Sequence, residues 1–293
     1  MPDDSWRPLY PFQSHWLDLD GLRMHYLDEG AGPPLLLVHG NPTWSFFFRA
    51  AVLALRDRYR VIAVDHIGCG LSDKPSPREY DFRLARRSAD LGRLVEHLGL
   101  ERLTLIAHDW GGAIGMGTAA AMPDRFSRFV LMNTAAFRAE RCPRLIRLGH
   151  IPIFSAVAIQ GLNLFVRAAL RLTVSKPERM TPAVRAGYLA PYDSWRHREA
   201  VRRFVLDIPL SPRHPSYATL ETVERGLAQF ADRPVALVWG MDDWCFGNEF
   251  LERFEKIFPR AEVHRLEGVG HYLLEDAPEQ VVPRIERFLE ETQ

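Results

Sequence analysis

Leu103-Thr-Leu-Ile-Ala-His-Asp-Trp-Gly-Gly-Ala113 is the stretch on which the reading of this chain turns. Leu103–Ala107 has the length and near-continuous apolar character of a strand buried on both faces. Ala113–Ala121, almost all small residues, follows with the composition of a closely packed helix. Between them stands a small-x-Asp-x-small turn, with Ala107 and Gly111 as the small flanks. A strand that doubles back so sharply into a helix leaves no room for bulky flanking side chains. It also holds its central residue, Asp109, in a strained conformation with the side chain aimed off the end of the sheet. Asp is a favoured helix cap as well, so the plain alternative for Asp109 is capping alone. The full pattern around it favours a nucleophile.

Outward from this turn, the same strand signature repeats. Leu35–Val38, Val61–Val64, Phe129–Asn133, Val235–Trp239 and Val263–Leu266 are each about one strand long and mostly without alternation, the mark of a parallel sheet covered by helices. Leu17–Leu27 instead alternates either side of Asp20-Gly21, a dipeptide suited to a tight hairpin turn. The fold class expected is α/β, a mostly parallel sheet with an antiparallel N-terminal hairpin. The spacing fails once. From Asn133 to Val235 no strand signature appears, and the segment is rich in helix formers, Arg and aromatic residues. An insertion leaving the carboxyl end of a parallel sheet covers the crevice where ligands bind. The expected organisation is therefore a core of residues 1–135 and 229–293 with a helical lid over residues 136–228. Within the lid, Ile151–Val166 is apolar all round yet shorter than the ~20 residues needed to span a bilayer. A buried lid helix against an apolar pocket is the first expectation, and a surface that docks a lipid or a partner the second. Arg138, Arg141, Arg144 and Arg147 recur every third residue, expected as a solvated helical face with an anion site in reserve.

Composition excludes several classes. Thirty-seven basic residues balance thirty-seven acidic ones, so no broad electrostatic footprint for nucleic acid or an anionic membrane is expected. Cys69, Cys142 and Cys245 form no C-x-x-C or Cys/His ligand pattern, which argues against a disulfide scaffold or structural zinc and fits a reducing compartment. The N-terminus lacks an apolar signal core. A cytoplasmic protein without transmembrane segment, metal or cofactor is expected.

A carboxylate with an ordinary pKa near ~4 is ionised at neutral pH and attacks without a base. It suits displacement at saturated carbon, in haloalkanes, epoxides or strained rings, better than peptide or ester hydrolysis. His39-Gly-Asn-Pro-Thr-Trp44 follows the strand Leu35–Val38, where such a layout draws one backbone N–H for an oxyanion hole; the residue after the nucleophile supplies the other. These are Asn41 and Trp110, whose side chains add an amide and an indole donor fit for a halide or a departing carboxylate oxygen. Gly268-Val-Gly-His-Tyr272 lies after the last strand, where the base belongs, making His271 the candidate. Gly240-Met-Asp-Asp243 offers two acids to orient it, of which Asp243 is preferred over Asp242; Asn133, at the alternative acid position, carries no carboxylate. The order nucleophile, acid, base is that of the α/β-hydrolase layout.

Through His39-Gly-Asn-Pro-Thr-Trp44, Asp65-His-Ile-Gly-Cys-Gly-Leu-Ser-Asp-Lys-Pro75 and His108-Asp-Trp-Gly-Gly112, the chain resembles the haloalkane dehalogenases of the α/β-hydrolase fold over nearly its whole length. Asp65-His-Ile-Gly-Cys-Gly70, Asn133-Thr-Ala-Ala-Phe137, Pro191-Tyr-Asp-Ser-Trp195, Phe204-Val-Leu-Asp-Ile-Pro-Leu210 and Asp243 make it look more narrowly like a third subfamily, which includes the β-lactone decarboxylases of bacterial long-chain olefin biosynthesis. The resemblance implies conversion of cis-3,4-dialkyl β-lactones to cis-alkenes and carbon dioxide on Asp109. It also implies an apolar pocket for long alkyl chains, to which Phe137, Phe154, Trp195 and Phe204 are assigned. By analogy it implies assembly with a β-lactone synthetase and a reductase. The alternatives are a haloalkane dehalogenase releasing alcohol and halide, an epoxide hydrolase using lid tyrosines such as Tyr188 and Tyr192, and a non-catalytic ligand receptor on the same fold.

Overall fold

The computed structural model describes residues 3–139 and 142–292. At its centre is an eight-stranded sheet built from β1 (Ser14–Leu19), β2 (Leu22–Glu29), β3 (Pro34–Val38), β4 (Arg60–Val64), β5 (Leu103–Asp109), β6 (Phe126–Thr134), β7 (Val235–Gly240) and β8 (Glu262–Leu266). Their order is β1-β2-β4-β3-β5-β6-β7-β8. β1 and β2 run antiparallel, as do β2 and β4, and every other pair is parallel. Asp20 and Gly21 turn the hairpin with φ of 59° and 89°, the left-handed pair a two-residue primed turn requires. β5 and β7 are buried along their whole length, because helices cover both faces of the sheet. β6 starts three residues before the expected Phe129: polar Ser127 and Arg128 interrupt its apolar run, yet Arg128 pairs with Thr104 of β5 and its guanidinium is satisfied by Thr104 Oγ1 and the Leu289 carbonyl.

Among the described residues twelve α-helices accompany the strands: α1 (Arg49–Leu55), α2 (Leu84–His97), α3 (Trp110–Ala121), α4 (Arg144–Leu148), α5 (Pro152–Ser155), α6 (Leu164–Leu172), α7 (Pro182–Leu189), α8 (Glu199–Leu206), α9 (Tyr217–Gly226), α10 (Asn248–Ile257), α11 (Leu273–Asp276) and α12 (Pro278–Glu291). The chain leaves β3 to one side to build β4, then returns to the other side to build β5. The loops after β3 and β5 therefore diverge and open a crevice at the carboxyl ends of two neighbouring strands.

Between β6 and β7 the described residues hold helices and no strand. Three expectations for this segment are corrected. Its last helix, α9, packs on α2 and α3, and Leu220 and Val223 belong to the apolar core beneath the sheet, so the residues from Tyr217 onward cover the sheet. Ile151–Val166 is no buried helix. It breaks into α5, a π-helical turn (Ala156–Gly161) and the start of α6, and Ile151, Ile153, Phe154, Val157, Leu162 and Leu164 all stand exposed. The arginine row is likewise no single face: Arg138 precedes α4 and pairs with Glu221 and Glu224 of α9, Arg144 and Arg147 are exposed on α4, and Arg141 lies outside the described residues. No single described helix is long and apolar enough to cross a membrane.

Candidate active site

Asp109 ends β5 with φ 54° and ψ −128°, a conformation that costs on the order of 1–3 kcal/mol and persists only where its surroundings impose it. The surroundings here are three close backbone approaches. A Cβ on Gly111 would fall on the Val38 carbonyl, one on Gly112 on the Thr134 hydroxyl, and one on Gly40 on the Asp109 carboxyl itself. Thr134 Oγ1 also donates to the Asp109 carbonyl. The Asp109 side chain makes no capping bond to α3. It accepts instead from the backbone N–H of Asn41 at 2.6 Å, one of the two donors expected from the sequence; the other, the Trp110 N–H, favours the carboxylate from the start of α3.

His271 Nε2 lies 3.6 Å from Asp109 Oδ2, and its Nδ1 is 2.8 Å from Asp243 Oδ2. The imidazole stacks on Phe246 and meets His108 at a tilt of 39°, with ring centroids 5.5 and 4.4 Å away, and His108 Nε2 hydrogen-bonds the His271 carbonyl at 2.9 Å. Asp243 is buried, while Asp242 is exposed and takes a hydrogen bond from Ser175, which separates the two acids the sequence left open. Asn133, read from sequence only as a missing carboxylate, has a definite place. Its Nδ2 donates to Asp243 Oδ2 and to the Gly240 carbonyl, each at 3.0 Å, and its Oδ1 accepts from the Gly240 N–H at 2.7 Å. Neither Asn133 nor Phe246 carried a sequence signal for these contacts, since both depend on which loops the sheet brings together.

Burial raises the pKa of Asp109 to about 6; the nearby His271 and the two backbone donors oppose the shift without cancelling it. The ordinary value taken from sequence is thus corrected upward, although the carboxylate still predominates at neutral pH. Burial pulls His271 the other way, but the charge and hydrogen bond of Asp243 and the charge of Asp109 outweigh it, leaving the imidazole above its usual range. An anion and an incipient cation face each other across the floor of an apolar cavity.

That cavity, about 800 Å³, has Asp109, His271, Asn41 and Tyr272 as buried floor residues and Phe137, Phe165, Val205 and Phe250 among its walls. Of the four assigned pocket aromatics only Phe137 lines it. Phe204 is fully buried behind Trp110, at 5.5 Å between rings, and under the Arg87 guanidinium. Phe154 and Trp195 are about half exposed on the outer face. The hydroxyls of Tyr188 and Tyr192 are also turned away, donating to Glu275 and to the Thr43 carbonyl. One N–H of the Asn41 amide is engaged by the Val201 carbonyl at 3.2 Å, a second N–H remains on Nδ2, and Oδ1 is buried without a partner among the described residues. Trp110, which lines the cavity, gives its indole N–H to no described residue. No cluster of three or more His, Cys, Asp or Glu among the described residues could hold a metal ion.

A family model described as alpha/beta hydrolase fold matches residues 33–151 and 187–278. The chain belongs to the α/β-hydrolase family. Within it, two relatives are named cis-3-alkyl-4-alkyloxetan-2-one decarboxylase: one from Xanthomonas campestris, 44% identical over 97% of this chain and 98% of that protein, and one from Shewanella oneidensis, 41% identical over 97% and 91%. A relative named haloalkane dehalogenase 2, from Mycobacterium bovis, is 36% identical over 96% of each chain. A solved haloalkane dehalogenase from Bradyrhizobium elkani shares the fold of this α/β-hydrolase at a TM-score of 0.87, with 24% identity over 96% of this chain and 98% of that one. The stretch the family model skips, 152–186, begins in the exposed segment of the roof.

Proposed function

We propose that this α/β-hydrolase is a β-lactone decarboxylase that converts cis-3-alkyl-4-alkyl-oxetan-2-ones to cis-alkenes and carbon dioxide, with Asp109 as nucleophile, His271 as its electrostatic partner, Asp243 as the acid orienting His271, and the roof helices of residues 136–216 as the lid. The relatives of 41% and 44% identity support the substrate class. The observation that carries the choice over dehalogenation is the similarity itself: the relatives named decarboxylase are 41% and 44% identical over 97% of this chain, against 36% for the haloalkane dehalogenase. The Asn41 amide keeps a second N–H besides the one on Val201, and with the Trp110 indole it suits a departing carboxylate oxygen and a halide alike. A flip of the amide would set two acceptors against each other, so the assignment holds.

The chemistry closes without water. Asp109 Oδ attacks the ring carbon bearing oxygen, and that carbon–oxygen bond breaks with its electron pair going to the ring oxygen. The result is an alkyl ester on Asp109 with a free β-carboxylate. The bond between this carboxylate and the neighbouring carbon then breaks, its electrons form the double bond, and the ester carbon–oxygen bond returns its pair to Asp109. Inversion at the attacked carbon followed by anti elimination converts a cis-lactone into a cis-alkene. The backbone donors of Asn41 and Trp110 and the imidazole of His271 stabilise the carboxylate that departs in the last step. Each buried methylene of the alkyl chains contributes roughly 0.8 kcal/mol, so the apolar walls select long substrates. The three free cysteines accord with a cytoplasmic setting, and assembly with a lactone-forming enzyme and a reductase belongs to the same reading.

The test is a paired assay of a long-chain cis-β-lactone and a bromoalkane, scoring alkene, alcohol and halide. Alkene from the lactone without halide from the bromoalkane is expected, and Asp109→Ala lowers alkene release by at least about three orders of magnitude. Alcohol and halide as the principal products would establish a dehalogenase instead.

A further inference from the structure

The outer face of the roof has a composition unlike the rest of the molecule. Between Glu140 and Glu178 the chain holds no acidic residue and six basic ones, in a protein whose charges balance over its whole length. On α6, Arg167 and Arg171 share one exposed stripe with Leu164 and Leu172, while Val166, Ala169 and Leu170 are buried on the other side. On α4, Arg144, Arg147 and Leu148 form a second exposed stripe. Ile151, Ile153 (80% exposed), Phe154 and Val157 stand out between them. Arg144, Arg147, Arg167 and Arg171 make no ion pair among the described residues. Single exposed apolar residues need no explanation; a run of them set among uncompensated arginines does.

We propose that this face docks on an anionic phospholipid surface, with Ile153 and Phe154 entering the acyl boundary and the four arginines resting at the headgroups. The charge chooses the occupant. A second copy would bring arginines against arginines, whereas phosphate headgroups neutralise them while acyl chains take up the apolar side chains. Helical geometry makes the contact peripheral: Pro152–Gly161 and Leu164–Leu172 meet at 75°, and each is only about 15 Å long against a hydrocarbon core of ~30 Å. The same face leads to the cavity. Leu172, Arg144 and Arg147 are at once exposed and part of the cavity lining, and Trp244, half exposed beside them, donates its indole N–H to the Leu172 carbonyl at 2.7 Å. The docked surface would thus set the cavity mouth against the lipid. A dialkyl lactone, insoluble in water, would then enter without crossing solvent, a use that rests on the proposed function; the docking itself does not.

Vesicle flotation of the full chain tests the docking without any assay of turnover. With phosphatidylcholine vesicles containing phosphatidylglycerol the protein is expected to float, to stay behind with phosphatidylcholine alone, and to release as salt is raised. The paired variant Arg167→Gln/Arg171→Gln should bind about fivefold more weakly for each charge removed. Ile153→Ser/Phe154→Ser should abolish flotation, and an unchanged near-ultraviolet circular dichroism spectrum certifies the fold of both. Bare anionic vesicles, equal binding to both vesicle types, or variants that float like the parent would each overturn the proposal. A roof that serves a protein partner or a second copy gives the first of these results.

Discussion

In the proposed mechanism Asp109 is reactive for the reason that it is expensive. A carboxylate in water is stabilised by its hydration shell and attacks carbon poorly; here most of that shell is replaced by two backbone N–H groups and an imidazole at 3.6 Å. Burial, prevailing over those partners, moves its pKa to about 6, above the ~4 of the unfolded chain. The folded state therefore holds this proton more tightly, and the ionised form that the proposed mechanism uses predominates only above that range. Single-turnover formation of the Asp109 ester should fall about tenfold per pH unit below pH 6 and level off above it. An acid limb near pH 4 would mean that the carboxyl is solvated like a surface group, contrary to its position. The strained turn at Asp109 was legible in the sequence, because small residues at 107, 111 and 112 leave one backbone path. Its raised pKa was not, because burial is set by side chains from strands and roof helices far apart in the chain.

At the level of elements, the carboxyl end of β6 and the loop after β7 are joined through Asn133. Its residue has φ 33° and uses both ends of its amide, tying the Gly240 backbone and the Asp243 carboxylate to one point. Asn133→Ala strands a buried backbone N–H and removes a donor from Asp243, which should cost about 1–3 kcal/mol in denaturant unfolding. Because Asn133 does not line the cavity, kcat should fall with KM little changed. A parallel rise in KM would show that the substitution disturbs the walls instead. The strands themselves were readable, since a five-residue apolar run between turn residues has few alternatives. Ile151–Val166 was not, for a physical reason: a segment apolar on every side records that it avoids water, without recording whether protein or something else replaces it. Phe154 was misassigned to the pocket for the same reason.

Across the whole molecule, buried carboxylates fasten the roof to the sheet. Asp207 at the end of α8 accepts from the Leu84 N–H, Arg83 and Ser216, linking α2 to the approach to α9. Glu275 binds Arg49 and takes the Tyr188 hydroxyl from roof helix α7. Asp276 has the most direct consequence for chemistry. Its two oxygens accept the backbone N–H groups of Ser175 and Lys176, just beyond α6, at 2.9 Å each, and that of Gly270, next to His271, at 2.8 Å. One fully buried side chain thus fixes the seat of the roof and the loop that carries the imidazole. Asp276→Ala leaves three backbone donors without their acceptor, a loss of on the order of 3 kcal/mol or more. Asp276→Asn keeps one acceptor oxygen and should lose less. The roof and the imidazole would loosen together, so the two variants should lower turnover in the same order as they lower stability, each measured well below its unfolding temperature. If Asp276→Ala reduced stability while kcat stayed at the parent value, the carboxylate would be a fastening for the roof alone, and the position of His271 would have to be held by Asp243, His108 and Phe246 without it.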